Sequence, residues 1–140
     1  MAQLAQEVMW MDRFKTHGDF SWVELMTTDV PAAKHFYREV FGWELKESDM
    51  PGTGGYTLIK AGGNEVGGMM KLPPDVPSGT PPHWMAYVTV EDVEAVARKV
   101  RELGGKVLVP PTEIPQVGRF CTFQDPQGAV ISAIQYTFAR

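Results

Sequence analysis

The hydrophobic and polar positions of the chain follow one pattern twice. FSWVELMTTD (residues 20–29) is rich in apolar and aromatic residues and ends in an aspartate, and so is HWMAYVTVED (residues 83–92), 63 positions later. A short run of this composition is typical of a β-strand. The two stretches therefore predict the first strands of two copies of one structural unit.

Each predicted strand leads into a helix with recognisable start and stop signals. Asp29 is placed to cap a first helix that has Pro31 in its first turn and stops at Gly42. Asp92 is placed to cap a second helix that stops at Gly104-Gly105. The apolar stripes of the two predicted helices are Ala33, Tyr37 and Val40 in the first and Val96, Val100 and Leu103 in the second.

Three further strands are predicted after each helix. WELKE and KVLVP are the short second strands, and the last two are GYTLIK with EVGGMMKL and GRFCTFQ with AVISAIQY. The glycine-rich stretch GGYTLIKAGGNEVGG lacks the strand-to-helix context of a phosphate loop, so it predicts a hairpin. Each copy is therefore βαβββ, and the expected class is α+β with curved, mostly antiparallel sheets.

The two copies indicate one domain with a preceding segment. Residues 1–18 are expected to be a leader or a short amphipathic helix, with Leu4, Val8, Met11 and Phe14 on one side. A single domain is expected over 19–140, with module 1 at about 19–72, a linker at 73–82 and module 2 at about 83–137. The linker PPDVPSGTPP is too rich in proline for a helix or a central strand. A half of about 55 residues buries too little core to stand alone, so we expect the modules to pack together.

Composition narrows the function classes. A net charge of -4 without a Lys/Arg cluster argues against nucleic acid as a partner. Cys121 is the only cysteine, which excludes an internal disulfide and a zinc site built on paired thiolates, and we expect it to act as a small core hydrophobe. The first residues lack the basic start and apolar run of a signal peptide, and no stretch resembles a membrane span, so we expect a cytoplasmic protein.

Two segments carry a family resemblance. TTDVPAAKHFYREVFGWEL (residues 27–45) and FQDPQGAVISAIQ (residues 123–135) resemble motifs of the vicinal oxygen chelate superfamily, which groups glyoxalases, bleomycin resistance proteins and dioxygenases. The resemblance covers about residues 20–137. It implies a pseudo-symmetric glyoxalase-like domain made of two βαβββ modules.

The resemblance also indicates where a metal would be held. Metal-dependent members use His, Glu or Gln side chains from the first and last strands of each half. Carried over by spacing, these positions are Trp22, Met85, Ser132 and roughly Gly67. They supply no imidazole or carboxylate, so we expect no bound divalent metal and no other cofactor. Glyoxalase and extradiol dioxygenase chemistry, which need the metal, are placed in doubt.

The leading hypothesis is a metal-free homodimer that binds a small apolar or aromatic molecule in a cupped cavity, as drug-sequestering members of the family do. Eight Met and four Trp in this length favour an adaptable apolar cavity. The predicted ligand contacts are Trp22, Glu24, Tyr56, His83, Met85, Tyr87, Phe123 and Ser132.

Glu24 leaves two interpretations open. It lies two residues after Trp22, and therefore on the same side of the strand. In the first, Glu24 lies near the mouth of the barrel or pairs with an Arg or Tyr. In the second, it contacts the ligand or acts as a general base. A catalytic Glu24 would make the protein a lyase, isomerase or hydrolase of the family, in which His83, Tyr87 or an unusual metal site assists the general base. His83 follows Pro81-Pro82, where a solvated histidine at the end of a loop is the simpler reading. A third class is a subunit without a ligand, whose aromatic residues form a dimer interface.

Overall fold

The computed structural model describes residues 12–48 and 55–138, which form two modules with the same order of elements. The first module contains β1 (Phe20–Thr27), α1 (Val30–Phe41), β2 (Glu44–Ser48), β3 (Tyr56–Ala61) and β4 (Asn64–Lys71). The second contains β5 (His83–Thr89), α2 (Val93–Glu102), β6 (Lys106–Ile114), β7 (Gly118–Gln124) and β8 (Val130–Tyr136). The α+β class and the βαβββ order of both copies are confirmed.

Strand pairing is also repeated. The strand order is β2-β3-β4-β1 in the first module and β5-β8-β7-β6 in the second. In each module the first strand runs parallel to the last, and the other neighbours are antiparallel. The mostly antiparallel pairing matches the expectation from sequence.

Both predicted helix caps are present. The Asp29 side chain accepts a hydrogen bond from the Ala32 amide at 3.0 Å, and Asp92 accepts one from Ala95 at 3.1 Å. These bonds satisfy amides that the first turn of a helix leaves without a partner. Helix α1 ends at Gly42 in a left-handed conformation with φ 70°, which a residue without a Cβ adopts at little cost.

Strand β6 extends further than the sequence predicts. KVLVP predicts an end at Pro110, yet the strand continues to Ile114. Because β6 lies at the edge of its sheet, prolines there disrupt no pairing on the outer side. The register shifts on both sides of Val109 accommodate the irregular stretch.

The hairpin predicted from the glycine-rich segment joins β3 to β4. Ala61 pairs with Asn64, and the two residues between them, Gly62 and Gly63, have φ values of 58° and 83°. Positive φ at both central positions is the requirement of a type I′ turn, which explains why two glycines stand here. The segment is a tight connection and not a phosphate loop.

Contacts divide the described residues into two compact units, one of which spans Trp22–Met85. Its core lies between α1 and the sheet and is built on Leu25, Ile59 and Met69. Lys34 on α1 forms a salt bridge with Glu47 on β2, and its hydrogen bond lowers the pKa of that carboxyl. The helix is therefore attached to the sheet by apolar packing and by one surface ion pair.

The other unit combines residues 12–21 with residues 86–138. The Gly18 amide donates to the Thr89 carbonyl at 2.7 Å, and the Thr89 amide donates to the Asp19 carbonyl at 2.8 Å. These two bonds tie the segment before β1 to the end of β5. The described part of the predicted leader is thus attached to this unit.

Aromatic packing holds the same segment. The Phe14 ring lies edge-on to Tyr136, with centroids 5.0 Å apart. Of the four residues expected on one side of an amphipathic helix, Leu4, Val8 and Met11 lie outside the described residues. Within the described part of the chain, no helix has the length and apolar character needed to cross a bilayer.

The core of this unit lies beneath α2. It is built on Val90, Val93, Ala97, Cys121 and Ala133. Cys121 is fully buried, and this burial raises the pKa of its thiol. A buried thiol with a raised pKa is a poor nucleophile, in line with the expected role as a small hydrophobe.

Candidate functional site

Successive side chains of β1 point to opposite faces of the sheet, one of which packs against the core while the other forms the candidate site. Leu25 points into the core beneath α1, whereas Trp22 and Glu24 lie on the other face of the sheet. Strand register extends that face, because Glu24 is paired with Gly68, and Gly68 with Leu58. We call this surface the site face; its members are Trp22, Glu24 and Met26 on β1, Tyr56 and Leu58 on β3, and Gly68 and Met70 on β4.

The site face has a polar centre with an apolar surround. Glu24 is 8% exposed and Tyr56 is 3% exposed, so both polar groups are largely withdrawn from water. The apolar side chains on the same face are half-buried; they are Trp22, Met26, Leu58 and Met70. A few placed polar groups among apolar and aromatic side chains are typical of small-molecule sites.

A chain of hydrogen bonds connects the polar groups. The indole Nε1 of Trp22 donates to the Tyr56 hydroxyl at 2.9 Å, and that hydroxyl donates to Glu24 Oε2 at 2.7 Å. An indole N–H can only donate, so the Tyr56 oxygen must accept from Trp22 and use its single proton toward Glu24. The direction of the chain is therefore fixed. The tyrosine partner that the sequence analysis considered for Glu24 is therefore present, and it is Tyr56.

The remaining predicted residues of this unit are His83 and Met85. His83 Nδ1 donates to the Pro81 carbonyl at 2.9 Å, which holds the imidazole against its own loop. This is the behaviour expected of a histidine at the end of a loop. Met85 is 6% exposed and contributes a buried thioether on β5.

Three predicted residues lie in the other unit. Tyr87 contacts the ring of Phe120, with centroids 6.3 Å apart, and is paired with Ser132 on β8. The Ser132 hydroxyl is buried and lies 2.6 Å from that of Thr122. Phe123 packs instead against the core beneath α2, so it does not share a face with Tyr87. Phe120, which lies three residues earlier and on the other face of β7, is the phenylalanine that contacts Tyr87.

The side chains at the family's metal positions do not suit a divalent cation. The Trp22 N–H is bonded to Tyr56, and the Ser132 hydroxyl is bonded to Thr122. The fourth position is Gly68 and not Gly67, because Gly68 is paired with Glu24 as Ser132 is with Tyr87, whereas Gly67 faces the core beside Ile59. A Cβ at Gly68 would overlap the Tyr56 ring, so no ligating side chain fits there while that ring stays in place. Across residues 12–48 and 55–138, no group of three or more His, Cys, Asp or Glu side chains could hold a metal ion. This donor set does not fit the metals that the family uses.

Several members of the site face were not predicted from the sequence. Met26 carried a usable signal, because it lies two residues after Glu24 and so shares its side of β1. Leu58, Gly68 and Met70 carried none, since their placement depends on how β3 and β4 are paired.

Comparison with known proteins gives a family and two kinds of relative. Residues 19–132 match the family model described as Glyoxalase/Bleomycin resistance protein/Dioxygenase superfamily. "Putative glyoxylase CFP32" of Mycobacterium tuberculosis is 41% identical over 119 residues, which cover 84% of this chain and 46% of that protein. "Anthracycline biosynthesis protein DnrV" of Streptomyces peucetius is 32% identical over 133 residues, covering 87% of this chain and 48% of that protein. The chain thus spans about half the length of these curated relatives.

A solved structure supports the fold at lower identity. Methylmalonyl-CoA epimerase from Mycobacterium tuberculosis superposes with a TM-score of 0.60 at 16% identity, covering 84% of this chain and 89% of the epimerase. At this identity the likeness concerns the fold and not the reaction.

Proposed function

Because the chain belongs to the Glyoxalase/Bleomycin resistance protein/Dioxygenase superfamily, we propose that it uses the site face to bind a small, largely aromatic molecule without a metal ion. The observation that carries this proposal is the composition of the face. A buried carboxylate is held by a tyrosine and surrounded by an indole, two thioethers and a leucine. Indole and thioether groups make favourable contacts with flat, polarisable rings.

Donor chemistry supports binding without a metal. Related enzymes place His, Glu or Gln at four positions of the two modules. This chain has there the Trp22 indole, which donates to Tyr56, the buried Met85 thioether, the Ser132 hydroxyl, which is bonded to Thr122, and a glycine. Glu24 alone contributes one carboxylate, which is too few ligands for a tight site in these proteins. Recognition is therefore assigned to apolar contact and to hydrogen bonds with Glu24.

The relatives suggest a ligand class. One relative, 32% identical over 133 residues, is named for anthracycline biosynthesis, and anthracyclines are planar fused-ring molecules. A planar polycyclic ligand would cover several half-buried apolar side chains of the site face at once. A protonated amine on such a ligand would be attracted to the Glu24 carboxylate.

The test is an equilibrium titration of the protein with an anthracycline in the presence of EDTA, followed through the visible fluorescence of the probe. The proposal predicts saturable binding with one probe per chain and no change when the EDTA is omitted. Absence of saturable binding by the anthracycline and by its aglycone would overturn it.

A second candidate function is supported by the same carboxylate. A buried Glu that accepts a 2.7 Å hydrogen bond from Tyr56 is held in one orientation, as a general base has to be. In that case the protein is an enzyme of the lyase or isomerase type, and Glu24 removes a proton from the bound molecule. The two functions differ in one respect, because only the enzyme converts its ligand to product.

A further inference from the structure

The path of the Tyr56 side chain depends on a single glycine. Tyr56 lies on β3 and Glu24 on β1, and β4 lies between these two strands. On β4 the residue in register with Glu24 is Gly68. A Cβ at Gly68 would overlap the Tyr56 hydroxyl and two carbons of its ring. The phenol therefore crosses β4 through the space that the missing side chain leaves.

We infer that Gly68 and Tyr56 are positioning residues, which hold the Glu24 carboxylate in the orientation that the bound molecule requires. That Glu24 contacts a bound molecule rests on the proposed function. That Gly68, Tyr56 and Trp22 hold the Glu24 carboxylate in place rests on geometry alone. Gly68 admits the phenol, Trp22 fixes the direction of the Tyr56 hydroxyl proton, and that proton is given to Glu24.

Gly67 and Gly68 differ in what an added Cβ would meet. Gly67 lies on the opposite face, and a Cβ there would meet the backbone carbonyl of Val23, which cannot move without disturbing the pairing of β1 with β4. At Gly68 the obstacle is the far end of a side chain, which can swing away. A methyl group at position 68 should therefore displace Tyr56 while the sheet stays intact.

The experiment compares Gly68→Ala with Tyr56→Phe, which removes the hydroxyl and keeps the ring. The first readout is the indole N–H signal of Trp22 in a ¹H–¹⁵N spectrum, identified by its loss in Trp22→Phe. In both variants this signal is expected to shift and to exchange faster with solvent, because its acceptor has gone. The Trp43 and Trp84 signals serve as internal controls and are expected to stay in place.

The second readout is affinity for the anthracycline probe. Each single variant is expected to weaken binding about tenfold, because Glu24 keeps its carboxylate and loses the hydrogen bond that orients it. In the Tyr56→Phe background, Gly68→Ala is expected to add little, since both changes remove the same interaction.

The outcomes separate the two claims. An unmoved Trp22 signal in Gly68→Ala would overturn the geometric inference, whatever the ligand data show. A moved signal with unchanged affinity would show that the chain of hydrogen bonds does not position Glu24 for binding. If Gly68→Ala fails to fold, it is combined with Tyr56→Ala, which removes the ring that the new methyl group would overlap. Folding of the double variant is expected, and its failure to fold would overturn the geometric inference. If the unmodified protein binds no probe, the proposed function fails while the spectra still decide the geometry.

Discussion

Glu24→Gln is expected to weaken binding of a cationic anthracycline by about 10- to 100-fold, the range for loss of a hydrogen bond to a charged group. Glutamine has nearly the same shape and keeps an oxygen that can accept the Tyr56 hydroxyl proton, so the hydrogen-bonded chain can persist. What the substitution removes is the negative charge. The measurement is the dissociation constant from fluorescence titration, together with the midpoint of thermal unfolding.

A neutral probe provides the control for this prediction. The aglycone of the same anthracycline lacks the amine, so its affinity is expected to fall much less in Glu24→Gln. Equal losses for both probes would show that charge is not what Glu24 supplies. If the protein instead turns over a substrate, Glu24→Gln should abolish turnover and leave the affinity for that substrate nearly intact.

Met69→Ala is expected to affect mainly stability and Met70→Ala mainly ligand binding, although the residues are adjacent on β4. Met69 is fully buried in the core beneath α1, so its truncation is expected to lower the free energy of unfolding by about 2–5 kcal/mol. Met70 is half-buried on the site face, so its truncation is expected to cost about 1 kcal/mol of stability.

The affinity for the probe should show the reverse order. Met70→Ala removes a thioether from the proposed contact surface and is expected to weaken probe binding severalfold. Met69→Ala should leave the affinity of the folded protein almost unchanged. Urea unfolding and fluorescence titration on both variants check the pair, and the account is wrong about the faces of β4 if Met70→Ala is the more destabilising of the two.

Local signals in the sequence predicted the framework of the fold. Asp29 and Asp92 each precede an apolar helical stripe, and each is an N-cap in the structure. These features depend only on residues close in sequence, which is why the repeat could be recognised without knowledge of strand pairing. Strand β6 was predicted too short because Pro110 and Pro111 argue against a strand unless its position at an edge is known.

The site was predicted less completely because it depends on register between distant strands. Trp22 and Tyr56 are 34 positions apart, and their hydrogen bond forms only because the phenol crosses β4 at Gly68. Phe123 shows a second reason why the sequence did not predict the whole site. GRFCTFQ has aromatic residues in both phases of its alternation, Phe120 in one and Phe123 in the other, so the pattern alone does not say which of them faces away from the helix.

We propose that recognition at the site face requires no metal ion. The most direct measurement is elemental analysis of the protein after incubation with Ni²⁺, Zn²⁺, Mn²⁺ or Fe²⁺ and removal of unbound ions, combined with probe titration on the same samples. We expect far less than one metal ion per chain and the same probe affinity with and without each metal. One metal ion per chain, lost in Glu24→Gln or His83→Ala, would contradict it.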